Sequence, residues 1–249
     1  MPTFKITVAY DGGPFVGWQR QDNGTSVQGL IEDALRALDG RDVTLHGAGR
    51  TDTGVHALGQ VANFTLVREA APDIVVRALN SHLPSEIRIV AAEEVPRSFH
   101  ARFDATSKTY RYRLVNGSVV SPFDYKYAWH VLEPLDTAAM AAAACFVEGR
   151  HDFAAFQTTG GATGPTERTV TRSILTTGSD GLIVYEVAGS GFLRRMVRAI
   201  VGSLVDVGRG REQPEWMRDV IASRDRGQAG QAAPAHGLFL VRVDYADRT

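Results

Sequence analysis

Apolar residues alternate with polar ones at Phe4, Ile6 and Val8, which predicts a strand over residues 4–10, closed by the turn-forming run Asp11-Gly12-Gly13-Pro14. The period then changes. Val27, Leu30, Ile31, Ala34, Leu35 and Leu38 recur at three- and four-residue steps, the stripe of an amphipathic helix, and Thr25 with Gln28 has the spacing of a capping box. Further strands are predicted over 43–46 and 60–67, a helix over about 73–80 and a strand over 87–90. This order is that of a split βαβ unit, the ferredoxin-like arrangement.

The second half repeats the order of elements without a visible sequence repeat. Strands are predicted over 109–114 and 125–131, then a helix capped by Asp136, then strands near 169–176 and 182–187. A helix over 192–207, a shorter one after Pro214 and a last strand over 238–243 complete it. We therefore expect an α/β (α+β) protein of two ferredoxin-like, RRM-like units with mixed antiparallel sheets, 1–105 and 106–249. A cleft between two such units is a natural binding place. The Gly- and Thr-rich stretch 151–165 reads as a functional or mobile loop.

Composition narrows the class. The chain has 249 residues, 44% of them hydrophobic, so it is long enough for a sizeable core. No apolar run has the length of a membrane span, and the first residues lack the basic and apolar regions of a signal peptide, so a cytoplasmic protein is expected. The single cysteine, Cys145, follows four alanines and reads as a small core residue without chemistry. Basic and acidic residues balance at 27 against 28, so distribution must decide about polyanionic partners. From Arg97 to Arg113 the chain carries Arg97, His100, Arg102, Lys108, Arg111 and Arg113 against Asp104 alone, interleaved with Phe99, Phe103, Tyr110 and Tyr112. Cations for phosphates and rings for bases suit single-stranded RNA, although a solvated charged face has the same composition.

Three segments carry candidate chemistry. In Gly47-Ala48-Gly49-Arg50-Thr51-Asp52-Thr53-Gly54-Val55-His56, one carboxylate sits in a glycine-bounded turn between strands, beside Arg50 and His56. Such a turn presents an acid to a ligand, and it is equally the setting of an Asx turn. In Lys108 to Leu114, alternation sends Tyr110, Tyr112 and Leu114 to one face and Arg111 and Arg113 to the other. Tyr110 can stack on a base and exchange a phenolic proton, or serve as core. In the predicted helix from Phe192, Arg194 and Arg198 fall four apart on one side. A half-buried aspartate needs a cation, so Asp52 and Arg198 could satisfy each other, while an exposed arginine fits the same spacing. The histidines and cysteine lack metal-ligand spacing, and Walker and dinucleotide-binding glycine patterns are absent.

The segment Gly49 to Ala57 resembles the signature loop of the bacterial tRNA pseudouridine synthase A family. Tyr10-Asp11-Gly12, Phe15-Val16-Gly17-Trp18-Gln19-Arg20-Gln21 and Ser26-Val27-Gln28 resemble its opening. Phe99-His100-Ala101-Arg102-Phe103-Asp104-Ala105 with Tyr110-Arg111-Tyr112 resembles its middle. Gly191-Phe192-Leu193, Met196-Val197-Arg198, Val201-Gly202, Ala233-Pro234 and Gly237-Leu238 resemble its end. The resemblance implies a homodimer that converts uridine to pseudouridine in the anticodon stem-loop of tRNA, just 3′ of the anticodon, without a cofactor or metal. It implies Asp52 as the catalytic carboxylate, Tyr110 stacked on the uracil, and Arg198 paired with Asp52. Arg50, His56, Gln60 and Arg102 are expected to bind the RNA along with Tyr110. Two positions depart from the pattern: Thr53 where the family usually has alanine, and Asn63 where a histidine is common. A noncatalytic RNA-binding module would use the same basic and aromatic residues. A glycoside hydrolase would also direct a carboxylate at an anomeric carbon, but normally with a second acid, for which these motifs offer no obvious partner.

Overall fold

The structure is a computed structural model that describes residues 1–158, 164–178 and 180–246. The chain forms two compact units, one of residues 1–106 with the segment from 239 onward, the other of residues 107–238.

The first unit contains β1 (Thr3–Tyr10), α1 (Val27–Asp39), β2 (His46–Gly47), β3 (His56–Thr65), α2 (Pro72–His82) and β4 (Ile87–Val95). β1 lies antiparallel between β3 and β4, and β2 pairs antiparallel with β3, which is the strand order expected of a split βαβ unit. Phe4, Ile6, Val8 and Phe64 of the sheet, Val27, Ile31 and Leu35 of α1, and Val75 and Leu79 of α2 form its buried core. Ser26, not Thr25, caps α1: its hydroxyl accepts the Gly29 amide at 3.2 Å. Gln28 instead accepts the Arg20 amide and donates to the Leu45 carbonyl. The strand expected over 43–46 shrinks to His46–Gly47. Val43 and Leu45 are buried without ladder pairing, so burial explains their hydrophobicity.

At the end of α1, the Asp39 carboxylate accepts the amides of Val67 and Arg68 at 3.1 Å and meets Arg41 Nε at 2.8 Å. Burial alone would push this carboxyl up; Arg41 and the two amides outweigh it and hold it below the usual carboxylate range. The stability it contributes is therefore fully present above its unfolded value, near ~3.9, and is lost as the pH falls through the lower folded value. Asp39→Ala is expected to cost about 1–3 kcal/mol in urea unfolding at pH 7, with the difference from the native chain shrinking below about pH 4.

The second unit contains β5 (Ala105–Asn116, entering from the first unit), β6 (Trp129–Val131), α3 (Thr137–Cys145), β7 (Gly149–Asp152), β8 (Glu167–Thr177), β9 (Leu182–Gly189), α4 (Met196–Gly208) and α5 (Trp216–Ser223). Its strands run β5-β9-β8-β7, each antiparallel to the next, with β6 parallel to β5. The strand expected over 125–131 is only Trp129–Val131, because hydrogen bonds such as Tyr127 N to Asp124 O curl the preceding residues into turns. β7 replaces the start of the loop expected over 151–165, of which residues 159–163 lie outside the described residues. Cys145 closes α3 on the exposed side, so it is not the core residue expected. The last strand, β10 (Leu238–Tyr245), pairs in parallel with β3, at Phe239 with His56 and Leu240 with Ala57. The expected boundary near 105 thus leaves out a return of the chain to its first sheet.

Candidate active site

Asp52 occupies the loop between β2 and β3, half-buried, in a turn closed by the Val55 amide on the Asp52 carbonyl at 3.1 Å with Gly54 in the left-handed region. The loop is fixed from below by the segment that follows β1. Tyr10 and Thr51 share a hydroxyl–hydroxyl hydrogen bond of 2.8 Å, Trp18 N donates to the Thr51 carbonyl at 3.2 Å, and the Thr53 hydroxyl donates to the Val16 carbonyl at 2.9 Å. Two glycines make this approach possible. A Cβ on Gly12 would lie 2.0 Å from the Val55 carbonyl oxygen, and one on Gly17, whose φ is +113°, would lie 2.6 Å from that of Thr51. The sequence bounds the Asp52 turn with Gly47, Gly49 and Gly54; it places Gly12 in the turn after β1 and Gly17 in the opening motif, but nothing local shows that either meets this loop.

His56 and Gln60 lie beneath the same loop. His56 is 2% exposed and stacks on Phe239 at 4.7 Å; its Nδ1 is 3.0 Å from both the Gly12 amide and an Asp11 carboxylate oxygen. The amide can only donate, so Nδ1 accepts from it in the neutral ring, and Asp11 is the partner available to the protonated one. Gln60 is wholly buried and donates to the Gly49 carbonyl at 2.8 Å. Gln60 thus holds the loop at Gly49, while His56 ties the start of β3 to the segment that follows β1. Arg50 and Arg102, in contrast, are exposed. The two departures from the family pattern each carry a structural bond: Thr53 to Val16, as above, and Asn63 to the Phe99 carbonyl at 3.2 Å and the Ala101 amide at 2.8 Å.

The tyrosines and Arg198 belong to the second unit. Tyr110, Tyr112 and Leu114 face inward from β5, while Arg111 and Arg113 pair with Glu186 at 3.0 Å and Asp124 at 2.8 Å. Those two cations are thus partly neutralised. Tyr112 is fully buried, donates to the Pro234 carbonyl at 2.8 Å, and burial pushes its phenol up against the opposing charge of Arg198. Tyr110 retains 8% exposure and meets Phe192 edge-on at 5.1 Å, which suits it better to contact with a ligand.

α4 begins at Met196, not at Phe192. Arg195 takes a left-handed conformation, φ 59°, that breaks the helix before Met196, so Arg194 and Arg198 do not share a helix face. Arg198 itself is half-buried. Its Nε donates to the Ala233 carbonyl at 2.6 Å while its own carbonyl accepts the Ala233 amide at 2.9 Å, an anchor that sets the direction of the guanidinium. Among the described residues, no group of three or more His, Cys, Asp or Glu is arranged to hold a metal ion, and no helix is long and apolar enough to cross a membrane.

These motifs match known sequences over nearly their whole span. The family model described as tRNA pseudouridine synthase covers residues 6–104 and 142–246. The chain belongs to this family. It is 48% identical over 246 residues to the tRNA pseudouridine synthase A of Afipia carboxidovorans, covering 98% of this chain and all of the relative. The corresponding proteins of Nitrobacter hamburgensis and Pelobacter propionicus are 46% and 47% identical over the same share of both chains. The carboxylate loop and the arginine helix fall within the residues that the family model matches, and the tyrosine strand lies between its two matched stretches.

Proposed function

We propose that this protein isomerises uridine to pseudouridine in the anticodon stem-loop of tRNA, just 3′ of the anticodon, acting as a homodimer in the cytoplasm, where its substrate is found. The N1 to C1′ bond breaks, the uracil turns, a C5 to C1′ bond forms, the C5 proton leaves and N1 takes up a proton in its place. Neither redox state nor atom count changes, so the reaction calls for no cofactor. The observation that carries the reading is the Asp52 loop, which presents a half-buried carboxylate while Tyr10, Val16 and Gln60 hold its other residues, Thr51, Thr53 and Gly49. Preorganisation of this kind lets a single acid act without reorganisation cost.

In this reading Asp52 is the catalytic carboxylate, Tyr110 stacks on the uracil and assists its C5 proton, and Arg198 supplies the compensating cation. Arg50 and Arg102 meet the RNA backbone, whereas His56 and Gln60 act by holding the loop. Reaching the uridine requires unstacking it, a cost that phosphate contacts and base stacking offset. The test is release of tritium from C5-labelled uridine in an unmodified tRNA transcript, with the modified positions mapped. Release confined to the anticodon arm supports the proposal; tight binding with no release would leave an RNA-binding module instead. Binding should weaken linearly in log–log form as salt rises, with a slope of roughly −0.7 to −0.9 per phosphate contacted. A Kd that stays flat across a salt titration would contradict arginine-to-phosphate recognition.

A further inference from the structure

Of the four aromatics interleaved with cations between residues 97 and 113, Phe99, Tyr110 and Tyr112 are buried, while Phe103 is 75% exposed. The chain that carries it is nonetheless firmly built. The Asp104 carboxylate accepts the His100 amide at 3.0 Å, the Asp104 amide returns a bond to the His100 carbonyl, and the Arg102 amide donates to His100 Nδ1 at 3.1 Å, which fixes the imidazole. Asn63 clamps the preceding turn from β3, and Phe99 packs beneath against Tyr245 at 5.1 Å. On this support the rings of His46, His100 and Phe103 form a row with centroids 5.0 and 4.3 Å apart, and the Arg102 guanidinium stands 5.7 Å from the Phe103 ring. Burial and the neighbouring His100 hold the His46 imidazolium below its ordinary value. A neutral imidazole at pH 7 is compatible with stacking.

Position adds a second argument. His46 opens β2, and the chain runs from it through Gly47 into the Asp52 loop, a path that spans at most about 20 Å. A ligand engaged at Asp52 therefore has its neighbouring residues within reach of this row. We propose that the exposed Phe103 face, backed by His100 and His46 and edged by Arg102, is a stacking platform for one unpaired base of the substrate RNA flanking the target uridine. The platform rests on the reading of the substrate as tRNA and deepens it. Its chemistry is a flat π surface for a base beside a cation for the adjoining phosphate, a combination that accepts any base.

The test uses anticodon stem-loop RNA carrying 2-aminopurine at each unpaired loop position in turn, bound to the full-length native protein and to Phe103→Ala, Phe103→Leu and Phe103→Trp. The exposure of Phe103 leaves all three free to fold. With the native chain, emission from at least one position is expected to fall on binding. Phe103→Ala and Phe103→Leu should lose that quenching and bind roughly 5- to 100-fold more weakly, and Phe103→Trp should retain both. Unchanged quenching and affinity in the alanine and leucine variants would overturn the proposal. So would a tryptophan variant as weak as the leucine one, because a loss that aromaticity does not rescue is not stacking, and so would an absence of quenching with the native chain. Tritium release by the native chain is scored separately. Quenching without release would sink the catalytic reading while leaving the platform standing.

Discussion

Asp52→Asn is expected to lower tritium release from C5-labelled tRNA by at least about 10³-fold while tRNA binding stays within about twofold of the native protein. The substitution keeps the size of the side chain, and the turn itself is closed by the Asp52 main-chain carbonyl, so the loop remains in place. What disappears is the carboxylate, whether it attacks C1′, adds to the ring or removes a ribose proton, and losses of this size are usual when an acid–base or nucleophilic group is removed. Single-turnover tritium release together with a direct binding titration checks both halves. Residual activity above a few per cent would move the chemistry to another group.

The second large effect is expected at a residue that touches no substrate in this reading. Gly17→Ala places a methyl 2.6 Å from the Thr51 carbonyl oxygen and 3.2 Å from the Asp52 carbonyl carbon, on a backbone whose φ of +113° already disfavours a side chain. The obstacles are main-chain atoms of the catalytic loop, which cannot rotate away as a flexible side chain would. We expect a loss of about 1–3 kcal/mol in thermal or urea unfolding and, at a temperature where the variant is folded, a fall of about 10²-fold in kcat from displacement of the carboxylate. A variant with native stability and a native rate would mean that the loop does not need this close approach. Gly40→Ala is the control, since its φ is also positive but nothing lies within 4 Å of the added carbon.

Much of the first unit was legible in the pattern. Alternation in β1 and the three-four stripe of α1 report a two-layer core directly, because burial on one face imposes the period of the backbone. Misreadings clustered where hydrophobicity and hydrogen bonding part company. Val43 and Leu45 are buried without being a strand, and α4 is shortened because Arg195 adopts a left-handed conformation that no local residue signals. The interleaved aromatics between 97 and 113 all looked alike in sequence. Only the fold separates three largely buried rings, of which Tyr110 keeps a little exposure, from the one in solvent.

By itself, the sequence determined the alternation of elements, the acid in its glycine-bounded loop, and the family, since ordered motifs and side-chain identity are local properties that survive without coordinates. The tertiary structure decided which side chains do which work. His56 and Gln60 are buried beside the Asp52 loop, Arg111 and Arg113 are partly neutralised by Glu186 and Asp124, Gly12 and Gly17 lie against the main chain of that loop, and β10 joins the first sheet. Each of these outcomes depends on a partner distant along the chain, and burial, ion pairing and close backbone approach are set by the partner as much as by the residue.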